Sequence, residues 1–274
     1  MWWDGDMSAT VDRAASATFR NELERHLSIV VDNGEFVCPS RVSCQGSTRR
    51  GWAFAGGQLS YVGDGYATRE AESPVRVLVV SMQVGDGEAP VSMARRKEQV
   101  LERVSPTAAN PRNPHMRGVT FALQYLFGLG LARERLDDGT HVLEAYAMVN
   151  AALCSHYRPT SRRGEPTPIM LDRCAGHLRS TIEVLRPTII HSQGWSSNAA
   201  KATPATSLLA IADEVEPLGE WLATIRIGDV EAIWCFLPHP AAGPPFAWQW
   251  PSSSFHSEQV APALSRARSL ALSR

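Results

Sequence analysis

The sequence predicts an α/β domain of three αβα layers, with a central, mainly parallel, four-stranded sheet flanked by helices. Four apolar runs of strand length, VRVLVVS, HVLEAYAMVN, PTIIHSQ and VEAIWCFLPH, are spread over residues 75–239. The first is apolar on both faces, as a parallel strand covered by helices on each side has to be. Segments with helical spacing separate the runs, and strands that alternate with helices build a mainly parallel sheet.

In chain order, residues 1–10 read as a disordered end and 11–274 as a single domain. From Val11 to Val31, Phe19, Leu23, Leu27 and Val30 recur at helical spacing, and Asn33-Gly34 stops that helix. FVCPSRVSCQG is a loop that carries Cys38 and Cys44. Arg50 to Gly65, rich in glycine and aromatics, suggests a hairpin or irregular arm ending at Gly63-Asp64-Gly65. The first strand runs into the loop SMQVGDGEAP, and residues 91–104 form a polar helix with Arg95, Arg96 and Lys97. A Pro/Asn-rich loop, SPTAANPRNPHMRG, hands over to the helix VTFALQYLFGLGL, apolar enough to be mostly buried. The second strand ends at Asn150, and a helix opened by Cys174 leads to the third, which ends near Gln193 to Trp195. A helix over 198–212 precedes the fourth strand, which ends at Pro238-His239-Pro240. The closing helix begins in FHSEQVAPAL, with Arg266, Arg268 and Arg274 toward its end.

Composition narrows the function classes. A chain of 274 residues with 44% hydrophobic content can bury one large core. Its net charge of -1 exerts no global pull on a polyanion. Nucleic acid would have to be held by local clusters, such as Arg95-Arg96-Lys97 or the loop with Arg158, Arg162 and Arg163. No run approaches the roughly 18 apolar residues of a membrane span, and the first residues lack a signal peptide's apolar core. The expectation is a soluble, cytoplasmic chain without membrane contact.

Five cysteines, Cys38, Cys44, Cys154, Cys174 and Cys235, form an odd set that argues against a disulfide framework and leaves reduced thiols or a metal site. A local pair on a loop followed by a distant pair is the layout of a four-thiolate site. Cys235 falls inside a strand and reads as a buried core thiol.

Open α/β sheets bind ligands outside the carboxyl ends of their strands. Gln83 to Asp86, Asn150, Gln193 to Ser196 and His239 all lie just past such ends, so they converge on one crevice. Gly85 and Gly87 do not match a dinucleotide fingerprint, and there is no Gly-x-Ser-x-Gly elbow.

These motifs together resemble the uracil-DNA glycosylase superfamily, specifically its iron-sulfur branch, families four and five. VNAALCSHYRP resembles that branch's TNVVKCRPP, with asparagine four residues before cysteine in both. CAGHLRSTIEVLRPTIIHSQG resembles its cysteine-led helix, arginine-proline and following strand; FLPHPAA resembles its final histidine-proline motif. YVGDG followed by VRVLVVS resembles the approach to its first motif, and the similarity covers most of residues 36–270. The first motif itself departs: the family places glycine and then an acidic residue where this chain has Ser81-Met82-Gln83-Val84-Gly85.

The resemblance implies a DNA glycosylase of base excision repair that hydrolyses the N-glycosidic bond of uracil or another altered base. It implies DNA as partner, a monomer, and a [4Fe-4S] cluster on Cys38, Cys44, Cys154 and Cys174. Thiolate chemistry alone would suit zinc equally well. A flipped base is read on its Watson-Crick edge by an amide, the role of Asn150. Negative charge on the departing base is stabilised by a histidine hydrogen bond, the role of His239. Gln83 would orient water, with Asp86 or Glu88 as a carboxylate if the loop folds back. His115 or Met116 would cover the base face, and Phe246 would enter the duplex as a wedge. A rival reading is a non-catalytic or attenuated iron-sulfur nucleic-acid-binding protein of the same fold; a zinc-stabilised α/β hydrolase is a third.

Overall fold

The computed structural model describes residues 9–82, 90–102, 113–160, 164–194 and 202–274. The amino-terminal half contains β1 (Ala9–Val11), α1 (Arg13–Leu27), β2 (Val31–Asp32), β3 (Glu35–Phe36), α2 (Arg41–Gly46), β4 (Ala53–Gly56), β5 (Tyr61–Val62), β6 (Thr68–Glu70), β7 (Ser73–Val75), β8 (Val77–Ser81), α3 (Met93–Leu101) and α4 (Pro114–Leu126). The other half contains β9 (Tyr146–Asn150), β10 (Cys154–Tyr157), β11 (Gly164–Glu165), α5 (Pro168–Leu185), β12 (Ile189–Gln193), α6 (Pro204–Leu209), β13 (Glu214–Pro217), β14 (Leu222–Ile227), β15 (Val230–Leu237) and α7 (Ala261–Leu272).

The main sheet has seven strands in the order β13-β14-β15-β12-β8-β9-β5. The four strands expected from the apolar runs are β8, β9, β12 and β15, and they pair side by side in parallel. The sheet is nevertheless mixed and larger than four strands. β14 and β13 extend it antiparallel beyond β15, and β5 closes the other side antiparallel to β9. The added strands escape a reading for buried parallel runs because β14 is joined to β15 by a tight turn through Gly228 (φ 60), and β5 is two residues long.

Successive strand residues point to opposite faces. Val77 and Val79 join an apolar cluster with Val119, Leu123, Leu264 and Trp248, from α4, α7 and the loop between β15 and α7. Leu78 and Val80 join a second cluster with Leu23, Leu27, Leu178 and Ile182, from α1 and α5. Both faces of the parallel strands are therefore buried, which accounts for their near-continuous apolar sequence.

The helix ends follow their capping chemistry. Asn113 accepts from the Met116 N–H at 3.1 Å ahead of Pro114, and Thr167 caps α5 ahead of Pro168. α5 ends at Leu185 and is capped by Arg186, in the left-handed region (φ 47), immediately before Pro187. Several expected boundaries change. The first helix ends at Leu27, because Asn33 (φ 48) and Gly34 (φ 81) make the turn of a small β2–β3 hairpin rather than a helix stop. Of the end expected to be disordered, Ala9 and Thr10 pair with β6; the earlier residues lie outside the described ones. The described part of the helix expected over 198–212 is α6, Pro204–Leu209. No helix among the described residues is long and apolar enough to cross a membrane.

Candidate functional site

The carboxyl ends of the parallel strands place a row of polar residues on one face. Asn150 ends β9 and is the register partner of Ser81, which ends β8. Gln193 ends β12 one residue past the Ser192–Val80 pair, level with Ser81. It pairs across to Leu237 of β15, two residues before His239. Strand alternation sets Asn150, Ser81 and Gln193 on the face that α4 covers, the face of Val79 and Met148.

The amino terminus of α4 and the turn after β15 close over this row. The His115 Nε2 lies 3.1 Å from the Ser81 hydroxyl, and its ring stacks on His239 with centroids 5.8 Å apart. Burial, then the neighbouring rings of His239 and His191, hold the His115 pKa down to about 3. His115 is thus a neutral ring at physiological pH. The Ala241 N–H donates to His239 Nδ1 at 3.1 Å, so a neutral His239 carries its proton on Nε2.

Trp248 holds the turn that presents His239. Its Nε1–H donates to the Pro238 carbonyl at 2.8 Å, while the N–H groups of Trp248 and Gln249 both donate to the Pro240 carbonyl at 3.1 Å. Pro240 also lies directly against α4: a Cβ on Gly118 would stand 2.1 Å from the Pro240 Cγ. Glycine is what allows the helix and the histidine-bearing turn to approach so closely.

Of the remaining expected site residues, Met116 packs partly buried against the core cluster around α4. Phe246 is 39% exposed, with its ring edge-on to Phe255 at 5.4 Å. The Arg158 guanidinium stands 5.1 Å over Trp52, which also takes Arg49 at 5.2 Å. Gln83, Asp86, Glu88, Arg162, Arg163 and Ser196 lie outside the described residues. From the sequence, Ser81, His191 and Trp248 carry no expected role, and Gln193 has a place at the crevice but no role there. The available signal was a run of polar residues, His191, Ser192 and Gln193, at the end of a strand that begins with two isoleucines and is buried throughout.

The thiols meet on the other side of the Asn150 segment. Cys38 precedes α2, Cys44 lies within that short helix, Cys154 begins β10, and Cys174 lies in the second turn of α5 rather than at its start. All four are buried and free. The Cys154 thiol hydrogen-bonds with those of Cys174 and Cys44, which raises its pKa and lowers theirs. Cys38 stands within electrostatic range of Cys174 and Cys44, with burial pushing its own pKa up. The Leu153 N–H donates to the Cys174 sulfur at 3.3 Å. Among the described residues, no three potential ligands are set around a common centre ready for a metal. Cys154 instead touches Cys44 and Cys174; Cys44 and Cys154 pack with Met170, Phe36 and Phe54, while Cys38 and Cys174 belong to the cluster on the α1 and α5 face of the sheet. Cys235 is fully buried in β15, apart from this group, and burial pushes its pKa up.

No model of a known protein family matches this chain, and no curated protein sequence does.

Proposed function

We propose that the protein is a DNA glycosylase that hydrolyses the N-glycosidic bond of uracil or another altered base. The observation that carries this reading is the polar row at the strand ends: an amide, Asn150, and a histidine, His239, on either side of Ser81 and Gln193. Asn150 supplies one donor and one acceptor, the complement of a base's amide edge. His239, with Nδ1 occupied by the Ala241 N–H, offers an Nε2 proton to the base oxygen as the glycosidic bond breaks. Neutral His115 stacks beside it without adding a competing positive charge. Gln83 orients the attacking water, and Asp86 is the nearest carboxylate in sequence.

The four cysteines fit a tetrathiolate group by their chemistry. The Cys154 thiol contacts those of Cys44 and Cys174, Cys38 stands within electrostatic range of Cys44 and Cys174, and a backbone N–H is directed at the Cys174 sulfur. Cys38, Cys44, Cys154 and Cys174 would hold a [4Fe-4S] cluster, which would cross-link α2, β10 and α5 beside the Asn150 strand. Trp52 with Arg49 and Arg158, from the segment before β4 and the residue just after β10, is the proposed contact for the DNA backbone and an unstacked base. Phe246 is the proposed wedge.

A second reading, a binding protein of the same fold without turnover, is favoured by one observation. Among the described residues of the row and its cover, Asn150, Ser81, Gln193, His115 and His239, none is a carboxylate. Oligonucleotides carrying uracil, hypoxanthine, xanthine or other lesions decide between the two. Abasic product is expected from at least one. His239→Ala should slow its formation about 100-fold to 1000-fold, the scale of losing one charge-stabilising donor. DNA binding without product, unchanged by His239→Ala, would leave the binding protein as the answer.

A further inference from the structure

A second histidine stands behind the turn that carries His239. His256 is 1% exposed and lies among the rings of Phe121 and Tyr125 on α4 and of Trp248, at centroid distances of 5.5, 5.7 and 6.3 Å. Its Nδ1 is 2.9 Å from the Trp248 carbonyl, and its Nε2 is 3.4 Å from the Tyr125 hydroxyl. A carbonyl only accepts, so Nδ1 is the donor of that bond. The residue opens a π-helical turn, His256–Val260, ahead of α7, in which the Ala261 N–H reaches back to the His256 carbonyl. Such turns are rare and frequently accompany functional sites. An apolar side chain would fill this place without needing partners. A buried polar group with both ends satisfied instead rigidifies what it joins.

From His256 an unbroken line of hydrogen bonds leads to His239 through two planar peptide groups. The Trp248 carbonyl that His256 holds shares its peptide with the Gln249 N–H, which donates to the Pro240 carbonyl at 3.1 Å. The Pro240 carbonyl in turn shares its peptide with the Ala241 N–H, which donates to His239 Nδ1 at 3.1 Å. In a trans peptide the N–H and C=O point opposite ways, so the dipoles run head to tail and each bond polarises the next. Resting on the base-excision reading, we propose that His256 is a positioning residue for His239: through this relay it fixes the ring and keeps the His239 proton on Nε2, where the departing base needs a donor. His256 is sealed from solvent and acts only through the relay. A carboxylate at Nδ1 would hold a histidine as a base. An N–H donor at Nδ1 holds it as a hydrogen-bond donor at Nε2, and does so with main-chain dipoles and no buried charge.

The test uses the full chain as wild type, as His256→Leu, which removes the donor at similar volume, and as His256→Asn, whose amide nitrogen stands near the place of Nδ1. His256→Met is a second apolar variant should leucine disturb folding. Nitrogen-15 NMR of the imidazole rings, at a pH where His239 is neutral, reads its tautomer without any substrate; its signals are those that disappear in His239→Ala. Wild type should show Nδ1 unprotonated and Nε2 protonated. The apolar variants should lose that preference and give a mixture of tautomers, and His256→Asn should restore it. Base release from any oligonucleotide that the wild type processes should fall about tenfold to 100-fold in kcat in the apolar variants, with KM nearly unchanged, as misplacing a group that acts in the transition state implies. It should recover in His256→Asn. A wild-type tautomer in the folded apolar variants, or an asparagine variant no better than leucine, would overturn the proposal. A His239 tautomer that depends on His256, with no base released from any lesion, would keep the relay and discard the glycosylase. Base release that is unchanged by His256→Leu would do the reverse.

Discussion

A histidine ring sealed in an apolar sheet face loses the water that solvates its charged form, and His191 is held neutral for that reason, its pKa lowered to about 4. The unfolded chain takes up the same proton near the ordinary value of 6.5. Between those two values the unfolded state binds more protons than the native state, so stability falls as pH falls. The contribution is complete above about 6.5 and lost progressively toward 4, and amounts to about 3 kcal/mol. His115, lowered to about 3, acts in the same sense over a wider window. Urea unfolding at pH 7, 5.5 and 4 should show His191→Leu losing about 3 kcal/mol less than wild type across that range. Equal losses in both proteins would mean that the ring titrates in the native state. At this scale the sequence places Asn150 and His239 at strand ends, because one closes an apolar run and the other follows a run by two residues. It could not reveal that the buried Gln193 side chain is left without a hydrogen-bond partner, as are both ring nitrogens of His191. Having no partner is a property of the surroundings, and those are set by β8, β15 and α4, residues distant in the chain.

Among the elements, the contact between α4 and the turn after β15 is the one on which the site most depends. Gly118→Ala would normally favour a helix by about 1 kcal/mol. Here the new Cβ meets Pro240 and, at 3.1 Å, Trp248, so the prediction is the opposite sign. Overpacking should destabilise by about 1–3 kcal/mol. The same shift displaces His239, so any base release should fall more steeply than the melting temperature alone would suggest. A stabilised Gly118→Ala protein with wild-type activity would show that the turn yields without consequence. The parallel strands were legible because burial on both faces writes itself as β-branched runs. The antiparallel additions were not. β14, LATIRI, is interrupted by the polar Thr224 and Arg226, β5 is only two residues long and pairs with Met148 and Ala147, and the Asn33-Gly34 turn reads the same whether it ends a helix or joins a hairpin.

The thiol junction ties together segments that lie more than a hundred residues apart in the chain. Substituting serine at Cys38, Cys44, Cys154 or Cys174 should remove most of any bound iron or zinc and cost more than about 2 kcal/mol. Cys235→Ser should leave the metal content intact, since that thiol is buried in β15 away from the group. Metal analysis and thermal melts on the five variants check this, and metal lost equally from all five would dissolve the assignment. The spacing of the cysteines was visible in the sequence, but their arrangement was not. Cys44 and Cys154 meet because α2 and β10 converge against α5, a contact that no local pattern records.

That junction also imposes an order in time. Cys38 and Cys44 leave the ribosome well before Cys174, separated by well over a hundred residues. At a synthesis rate of about 5–20 residues per second the wait is on the order of ten seconds. Throughout it the early pair hangs on a nascent chain whose β9, β10 and α5 do not yet exist. The junction therefore closes late, after more than half of the protein has been made, and the early thiols must stay reduced until then.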